Sequence, residues 1–314
     1  MIGTTRRRFL AHGAGAAAGM WLVPASSRAT TTSQPSVKFP SAPRERVAVA
    51  SYPFREFIAG EWHKPGNPAV ELKDFVAHVG EKFNVHRIES WSAHFPSTDA
   101  KYLAEFRAAV EKADAGVANI AVDGEYSPYA ADRAEREKAI AFGKHWIDVA
   151  VGIGSPSVRT NIPGAKDTKP DAERLTESLR QVVDYASSKN VVVHLENDNP
   201  VSEDPFFLAK VIEKVNSPWL HALPDFGNTL NAHDADYAYR AIDTMFAHAY
   251  GICHVKDGEV NQQGKATRVD LARTFGILKK HGYKGYCSIE YDAPGDPYKA
   301  TAELVEKTVG FLST

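Results

Sequence analysis

The sequence predicts a closed (β/α)8 barrel, an α/β fold, and three observations carry that prediction. About eight short apolar runs alternate with amphipathic stretches of helical length from Glu45 to Leu312, the pattern of repeated strand and helix units around a parallel sheet. The span of that alternation suits the ~250 residues of one such barrel. No glycine-rich phosphate loop follows the first run, as an open doubly wound sheet would have.

The apolar runs fall at 47–54, 87–95, 117–122, 157–162, 191–196, 220–225, 251–256 and 285–290, each of strand length. The intervening stretches at 71–83, 99–113, 131–149, 171–188, 204–215, 234–248, 270–281 and 297–311 are long enough for helices. Several open on aspartate (Asp99, Asp171, Asp204, Asp234 and Asp270), whose carboxylate can accept from the free N–H groups of a first turn. The first strand runs into Tyr52-Pro53-Phe54-Arg55, which would set aromatic and cationic groups at the barrel mouth.

Of 314 residues, 37 are Lys or Arg and 39 Asp or Glu, so a net charge of -2 gives no electrostatic reason to expect nucleic acid or an anionic membrane as partner. Thr5-Arg6-Arg7-Arg8-Phe9-Leu10 precedes a small-residue apolar run at 14–24, then Ser27-Arg28-Ala29. This resembles a twin-arginine signal peptide. The resemblance implies a leader at 1–29, use of the twin-arginine export machinery and a periplasmic location; the alternative is an ordinary basic tail. The run is short of the ~20 residues that span a bilayer, so no integral membrane domain is expected. Ser, Thr and Pro dominate 30–44, which reads as a flexible linker before a barrel domain at 45–314.

Catalytic groups in this fold class come from the C-terminal ends of different strands, so they recur at one phase of successive units. Four strand ends meet that test: Glu196, Asp225, His254 and Glu290. Asp225 lies 29 residues after Glu196, His254 another 29 on, and Glu290 36 after that, each about one strand-plus-helix repeat. Equal phase implies convergence in space. Three carboxylates on one rim would raise one another's pKa unless a cation neutralised them, so the pattern calls for one divalent metal ion. Oxygen donors with one imidazole suit Mn2+, Mg2+, Co2+ or Zn2+. Taken singly, each residue has a plainer reading: Asp225, before Gly227-Asn228, as a turn or cap, and His254 as a hydrogen-bonded core histidine.

The stretches Val193-His194-Leu195-Glu196-Asn197, Asp225-Phe226-Gly227-Asn228, His254-Val255-Lys256-Asp257 and Ser288-Ile289-Glu290-Tyr291 resemble the metal-binding strand ends of the xylose isomerase-like barrel superfamily. Within it they are most similar to the sugar phosphate isomerase/epimerase branch. The similarity covers the second half of the domain well and the first half mainly through strand order. It implies that Glu196, Asp225, His254 and Glu290 bind Mn2+ or a similar ion. It further implies that Glu196 and Glu290 serve as acid and base on opposite faces of the substrate. A metal on the carbonyl and adjacent hydroxyl oxygens would acidify the intervening C–H and stabilise an enediolate. One departure stands out: where many such epimerases carry histidine three residues after the aspartate, this chain has Asn228, which hydrogen-bonds but does not titrate.

Further substrate contacts are expected from Asn228, Lys256, Glu89, Arg159, Trp91 and His94, with Asn161 in similar phase and His194 as a partner behind Glu196. Buried salt bridges, packing or solvation are the plainer explanations for Glu89, Arg159, Trp91 and Lys256. The only two cysteines, Cys253 and Cys287, exclude a disulfide framework and an all-thiolate zinc site. Each is an odd number of residues from its strand's inward ligand, so alternation turns both toward the helices; a disulfide between them is the alternative.

The function expected is a divalent-metal-dependent isomerase or epimerase of a sugar or other polyhydroxy carbonyl compound. Export and the lack of a basic phosphate clamp favour an unphosphorylated one. A lyase or dehydratase acting on 3-keto-glycosides would use the same site, and a non-catalytic sugar-binding barrel is the third reading. A homo-oligomer is compatible with the sequence, which fixes no oligomeric state.

Overall fold

The structure is a computed structural model whose described residues are 34–260, 264 and 266–314. The leader expected at 1–29 lies outside them. Each apolar run becomes a strand: β1 (Val47–Ala50), β2 (Arg87–Trp91), β3 (Gly116–Val122), β4 (Ser157–Thr160), β5 (Val192–Glu196), β6 (Leu220–Leu223), β7 (Ile252–Val255) and, after a small hairpin of β8 (Gly258–Val260) and β9 (Ala266–Arg268), β10 (Tyr286–Ile289). The helices are α1 (Phe75–Phe83), α2 (Ala100–Lys112), α3 (Arg133–Ile153), α4 (Ala172–Lys189), α5 (Pro205–Val215), α6 (Asn228–Ala232), α7 (Ala235–Ala247), α8 (Leu271–Lys280) and α9 (Pro297–Ser313). Strands β1, β5, β7 and β10 are buried along their whole length, because helices cover one face and the barrel interior the other.

Eight strands pair in parallel in the order β6-β5-β4-β3-β2-β1-β10-β7. The ring closes between β6 and β7 through two isolated bridges, Ala222 to Ala249 and Asp225 to His254. Pro224 sits between the bridges and has no N–H to donate, which keeps the seam from becoming a continuous ladder. Asp225 is thereby held beside His254, with the His254 N–H on the Pro224 carbonyl at 3.0 Å and the Phe226 N–H on the His254 carbonyl at 3.2 Å.

Aspartates cap the helices as expected: Asp99, Asp171, Asp204, Asp234 and Asp270 each accept from first-turn N–H groups, and Asp132 and Asp296 do the same. At the opposite ends, Asn84, Asn190 and Asn216 take left-handed conformations at φ 52°, 56° and 51° that turn the chain back toward the next strand. No helix among the described residues is long and apolar enough to cross a membrane.

Three expectations need correction. The first and second strands end sooner than expected, at Ala50 and Trp91, and continue as 3-10 turns at Tyr52–Phe54 and Ser92–His94. Pro53 cannot donate to a ladder, and Ser51 Oγ fastens the two turns by accepting the Trp91 N–H at 2.8 Å. The β8–β9 hairpin comes from a polar stretch with no apolar alternation to announce it. Finally, residues 34–44, read as linker, lie against the barrel. Phe39 packs edge-on against Tyr250 and Tyr286 at ring distances of 5.3 and 5.6 Å, and Ser36 bonds Asn190. Phe39 packs on a layer formed by Ala48, Ala118, Leu223, Ile252 and Tyr286, and Val37 packs against the main core.

Cys253 and Cys287 stand opposite each other in the β7–β10 ladder, free and fully buried, in the strand-to-helix cluster that also holds Phe275 and Leu304. The expected outward orientation therefore holds, and their sulfurs are 3.8 Å apart without a bond.

Where β10 begins, backbones approach closely. A Cβ on Gly285 would lie 2.5 Å from the Tyr250 carbonyl oxygen and 2.6 Å from that of Gly251. Gly285→Ala is expected to lower the unfolding free energy by about 1–3 kcal/mol. The check is the urea midpoint at constant slope; an unmoved midpoint would show that these loops yield.

Candidate metal centre

The four strand-end residues meet. Glu196 ends β5, His254 lies in β7, and Asp225 and Glu290 follow β6 and β10 by two residues and one. One donor atom from each falls within 4.8 Å of all the others, and all four residues are buried. His254 Nδ1 is 2.8 Å from Glu196 Oε1, 3.2 Å from Glu290 Oε2 and 3.7 Å from Asp225 Oδ2.

Loop chemistry orients Asp225. Its Oδ1 accepts from the N–H groups of Gly227 and Asn228 at 2.8 and 2.7 Å, and Asn197 clamps its backbone on both sides at 2.8 and 3.1 Å. With Oδ1 thus occupied, Oδ2 is buried in the cluster without a hydrogen bond, its nearest cationic groups being Lys256 Nζ at 3.5 Å and His254 Nδ1 at 3.7 Å. A buried carboxylate oxygen without a hydrogen bond is costly, and a divalent ion in the cluster would meet it at shorter range than Lys256 does. Three oxygens and one imidazole nitrogen converging in this way fit a divalent ion of the Mg2+, Mn2+, Co2+ or Zn2+ type.

Without the ion, protons carry part of the charge. Burial pushes the Asp225 carboxyl up to about 8, against the pull of the Lys256 ammonium. Burial works against a charged His254, but Glu196, Glu290 and Glu89 outweigh it and hold the ring well above the usual histidine range. An ion entering the site must displace such protons. Its affinity is accordingly expected to rise with pH toward about 8, and to fall below that by about tenfold per unit for each proton displaced. Calorimetric titration with Mn2+ between pH 6 and 8.5, in buffers of different ionisation enthalpy, reads both quantities; a pH-independent affinity with no proton release would exclude this coupling.

The other expected site residues divide into three groups. Those at the mouth line a cavity of about 370 Å3 together with Glu196 and Glu290. Arg159 Nε is 2.9 Å from Glu196 Oε2, and its Nη1 is 3.0 Å from Asp123. Lys256 Nζ donates to Asn228 Oδ1 at 2.9 Å and stands 3.5 and 3.3 Å from Asp225 and Glu290. Asn228 Nδ2 reaches Glu196 Oε1 at 3.4 Å. Trp91 presents its indole edge, with its N–H on Asp123 at 2.6 Å, and Asn161 lies beside Arg159.

Glu89 belongs to a deeper layer and is corrected from substrate contact to support. It is 1% exposed, and its Oε2 accepts from His254 Nε2–H at 2.9 Å and Ser288 Oγ at 2.6 Å, while Oε1 accepts from Asn119 at 2.7 Å. A carboxylate behind a ligating imidazole fixes its tautomer and raises its basicity. Glu89→Gln is expected to weaken ion binding about 10–100-fold, measured by calorimetry; unaltered affinity would mean the charge plays no such part.

His94 and His194 do not reach the cavity. His94 is buried behind Trp91, its Nδ1 2.9 Å from Ser51 Oγ, and burial drops its pKa to about 4. His194 Nε2 accepts the Gly251 N–H at 3.2 Å at the floor of the barrel, near Phe39. It is not a partner of Glu196.

Sequence reading missed Trp62, Asp123, Asp198, Glu259 and Asp292 and gave Tyr52 and Arg55 no role, although all line the cavity. Asp123 was findable, since it follows β3 by one residue just as Glu290 follows β10. Glu259 arrives on the unforeseen hairpin, and Trp62 on a loop without periodicity.

Residues 81–312 match the family model described as Xylose isomerase-like TIM barrel. No curated protein matches. Among solved structures, a xylose isomerase-like TIM barrel protein from Mycobacterium smegmatis in complex with magnesium superposes with a TM-score of 0.67 at 16% identity, covering 87% of this chain and 98% of that one. A D-allulose 3-epimerase from Methylomonas sp. gives 0.66 at 15%, covering 88% and 100%. A D-psicose 3-epimerase from Clostridium cellulolyticum, solved with D-tagatose, gives 0.63 at 15%, covering 85% and 96%. At such identities these likenesses speak for the fold.

Proposed function

Since the chain belongs to the xylose isomerase-like TIM barrel family, as the match over residues 81–312 shows, we propose that it is a divalent-metal-dependent isomerase or epimerase of sugars. The observation that carries this reading is the buried convergence of Glu196, Asp225, His254 and Glu290, two of which, Glu196 and Glu290, line a cavity of about 370 Å3. Sugar epimerases among the structural neighbours support it.

Held by those four residues, a divalent ion supplies Lewis acidity toward a sugar carbonyl and the hydroxyl beside it. The chain's own groups do the rest. Glu196 and Glu290 approach from β5 and β10, three places apart around the ring, and so address different sides of a bound sugar. In the ion-free protein burial would protonate both, yet the charges of His254 with Arg159 or Lys256 prevail and hold their carboxyls below the usual range. The same pull would come from a bound ion in place of the displaced His254 proton. Glu290 would remove the proton from the carbon next to the carbonyl and later release it to solvent, while Glu196, having first taken a proton from solvent, would deliver it to the other side. Asn228 and Lys256 donate hydrogen bonds to the sugar oxygens, and Trp91 walls the ring.

Acidic groups outnumber cations around the cavity, so an unphosphorylated sugar suits it better than a phosphate ester. The leader-like segment adds the proposal that the reaction takes place in the periplasm. Incubating metal-loaded protein with ketohexoses and 3-keto-glucosides in deuterated water is the test. Deuterium should enter at the carbon next to the carbonyl and epimers should appear; elimination products would instead identify a lyase. Sugar binding without exchange under any of the four ions would leave a binding protein and sink the enzymatic reading.

A further inference from the structure

Beside the metal pocket lies a second cavity of equal size, about 370 Å3, between the loops that follow β1 and β10. Arg55 and Asp292 line both and form the boundary. The guanidinium rests 4.4 Å from the Tyr52 ring centre, and its Nη2 lies 3.4 Å from Asp292 Oδ1. That pair is long and partly exposed, so it holds the two loops only weakly and its polar atoms remain available to a ligand.

Past the boundary, Glu56 and Phe57 form one wall and Tyr291 and Ala293 the other. The rings are fixed: the Tyr291 hydroxyl donates to the Pro294 carbonyl at 2.7 Å, and Phe57 packs edge-on against Tyr298 at 5.1 Å. Ring faces with hydrogen-bonding groups at their margins suit a hydroxylated ring, whose C–H faces are apolar and whose edges are polar. Among the described residues Arg55 is the only cation on the lining, beside the carboxylates Glu56 and Asp292, so these residues give no excess positive charge to attract a phosphate or carboxylate. A single monosaccharide at the metal centre would leave this space to water. Each cavity alone is at the low end of the ~300–1,000 Å3 typical of small-molecule sites.

We propose that the substrate carries a second, uncharged sugar unit. Its reacting sugar occupies the metal centre, its second ring occupies this cleft, and the linkage crosses at Arg55 and Asp292. The proposal rests on the reading of the centre as a sugar-processing site.

The test uses sugar alcohols, which have no carbonyl and do not react. Binding of sorbitol, maltitol and cellobiitol to the metal-loaded protein is measured by calorimetry, alongside Ala293→Trp and Glu56→Trp, which block the cleft from opposite walls. At least one of maltitol and cellobiitol, each a glucose ring joined to an open-chain sorbitol unit, should bind about tenfold or more tightly than sorbitol alone, and either blocking variant should remove that gain. Equal affinity for sorbitol and for the two-unit alcohols, no binding of either two-unit alcohol, or a gain that survives both variants would overturn the proposal. Because binding needs no turnover, the two readings fail separately. Absent C–H exchange with an intact binding gain removes the reaction and keeps the cleft, while exchange without a binding gain does the reverse.

Discussion

Glu290→Gln is expected to lower the rate of C–H exchange by about 10²–10⁴-fold, the range a positioned general base contributes. The amide keeps the shape of the side chain and loses the basic oxygen, so kcat should fall while KM for the sugar changes little. Glu290 also sits 3.2 Å from His254 and 3.3 Å from Lys256, and its amide is a poorer ligand, so the assay needs saturating ion and a measured metal content. Circular dichroism should show the barrel intact. Wild-type exchange at full metal occupancy would remove Glu290 from the role of base.

Removing the ion is expected to be the second large effect, and it reads on stability as well as rate. Three buried carboxylates and an imidazole share one small volume, so an ion that binds only the folded chain stabilises it by mass action. At about a thousand times its dissociation constant the gain is ~4 kcal/mol, which for a domain of this size corresponds to a rise in Tm on the order of 10 °C. A chelator should abolish that rise together with exchange. Asp225→Ala should abolish it permanently, since one of the converging carboxylates is removed. A Tm indifferent to Mn2+, Mg2+, Co2+ and Zn2+ in the wild-type protein would rule out a metal centre here.

Much of this site is legible in the chain because the barrel repeats. Residues at one phase of successive units must arrive on one rim, so Glu196, Asp225, His254 and Glu290 could be picked out together although none is distinctive singly. Phase, however, gives direction and not depth. Glu89 and Trp91 alternate onto the same face of β2, yet one supports His254 from below and the other walls the cavity. His194 and Glu196 differ in the same way: the histidine lies one layer deeper, at the floor. A two-residue step along a strand is about 6.6 Å, enough to separate a ligand-contacting layer from a supporting one. Only the pairing registers, such as Ala50 with Glu89 and Ser288 with His254, fix that height. Loops were beyond reach for another reason. Trp62 and Glu259 come from segments whose positions depend on what they pack against, which no local period records.

The cysteine pair on β7 and β10 has a use that follows from its burial. Both thiols are fully shielded, and burial raises the Cys253 thiol well above its usual range, which leaves it unreactive in the native barrel. A thiol reagent can label them only in molecules that have momentarily opened around the two strands, so the alkylation rate becomes a stopwatch for opening events in the intact protein. Because these strands carry His254 and precede Glu290, the same stopwatch timed with and without ion would report whether the loaded centre slows the breathing of its own scaffold.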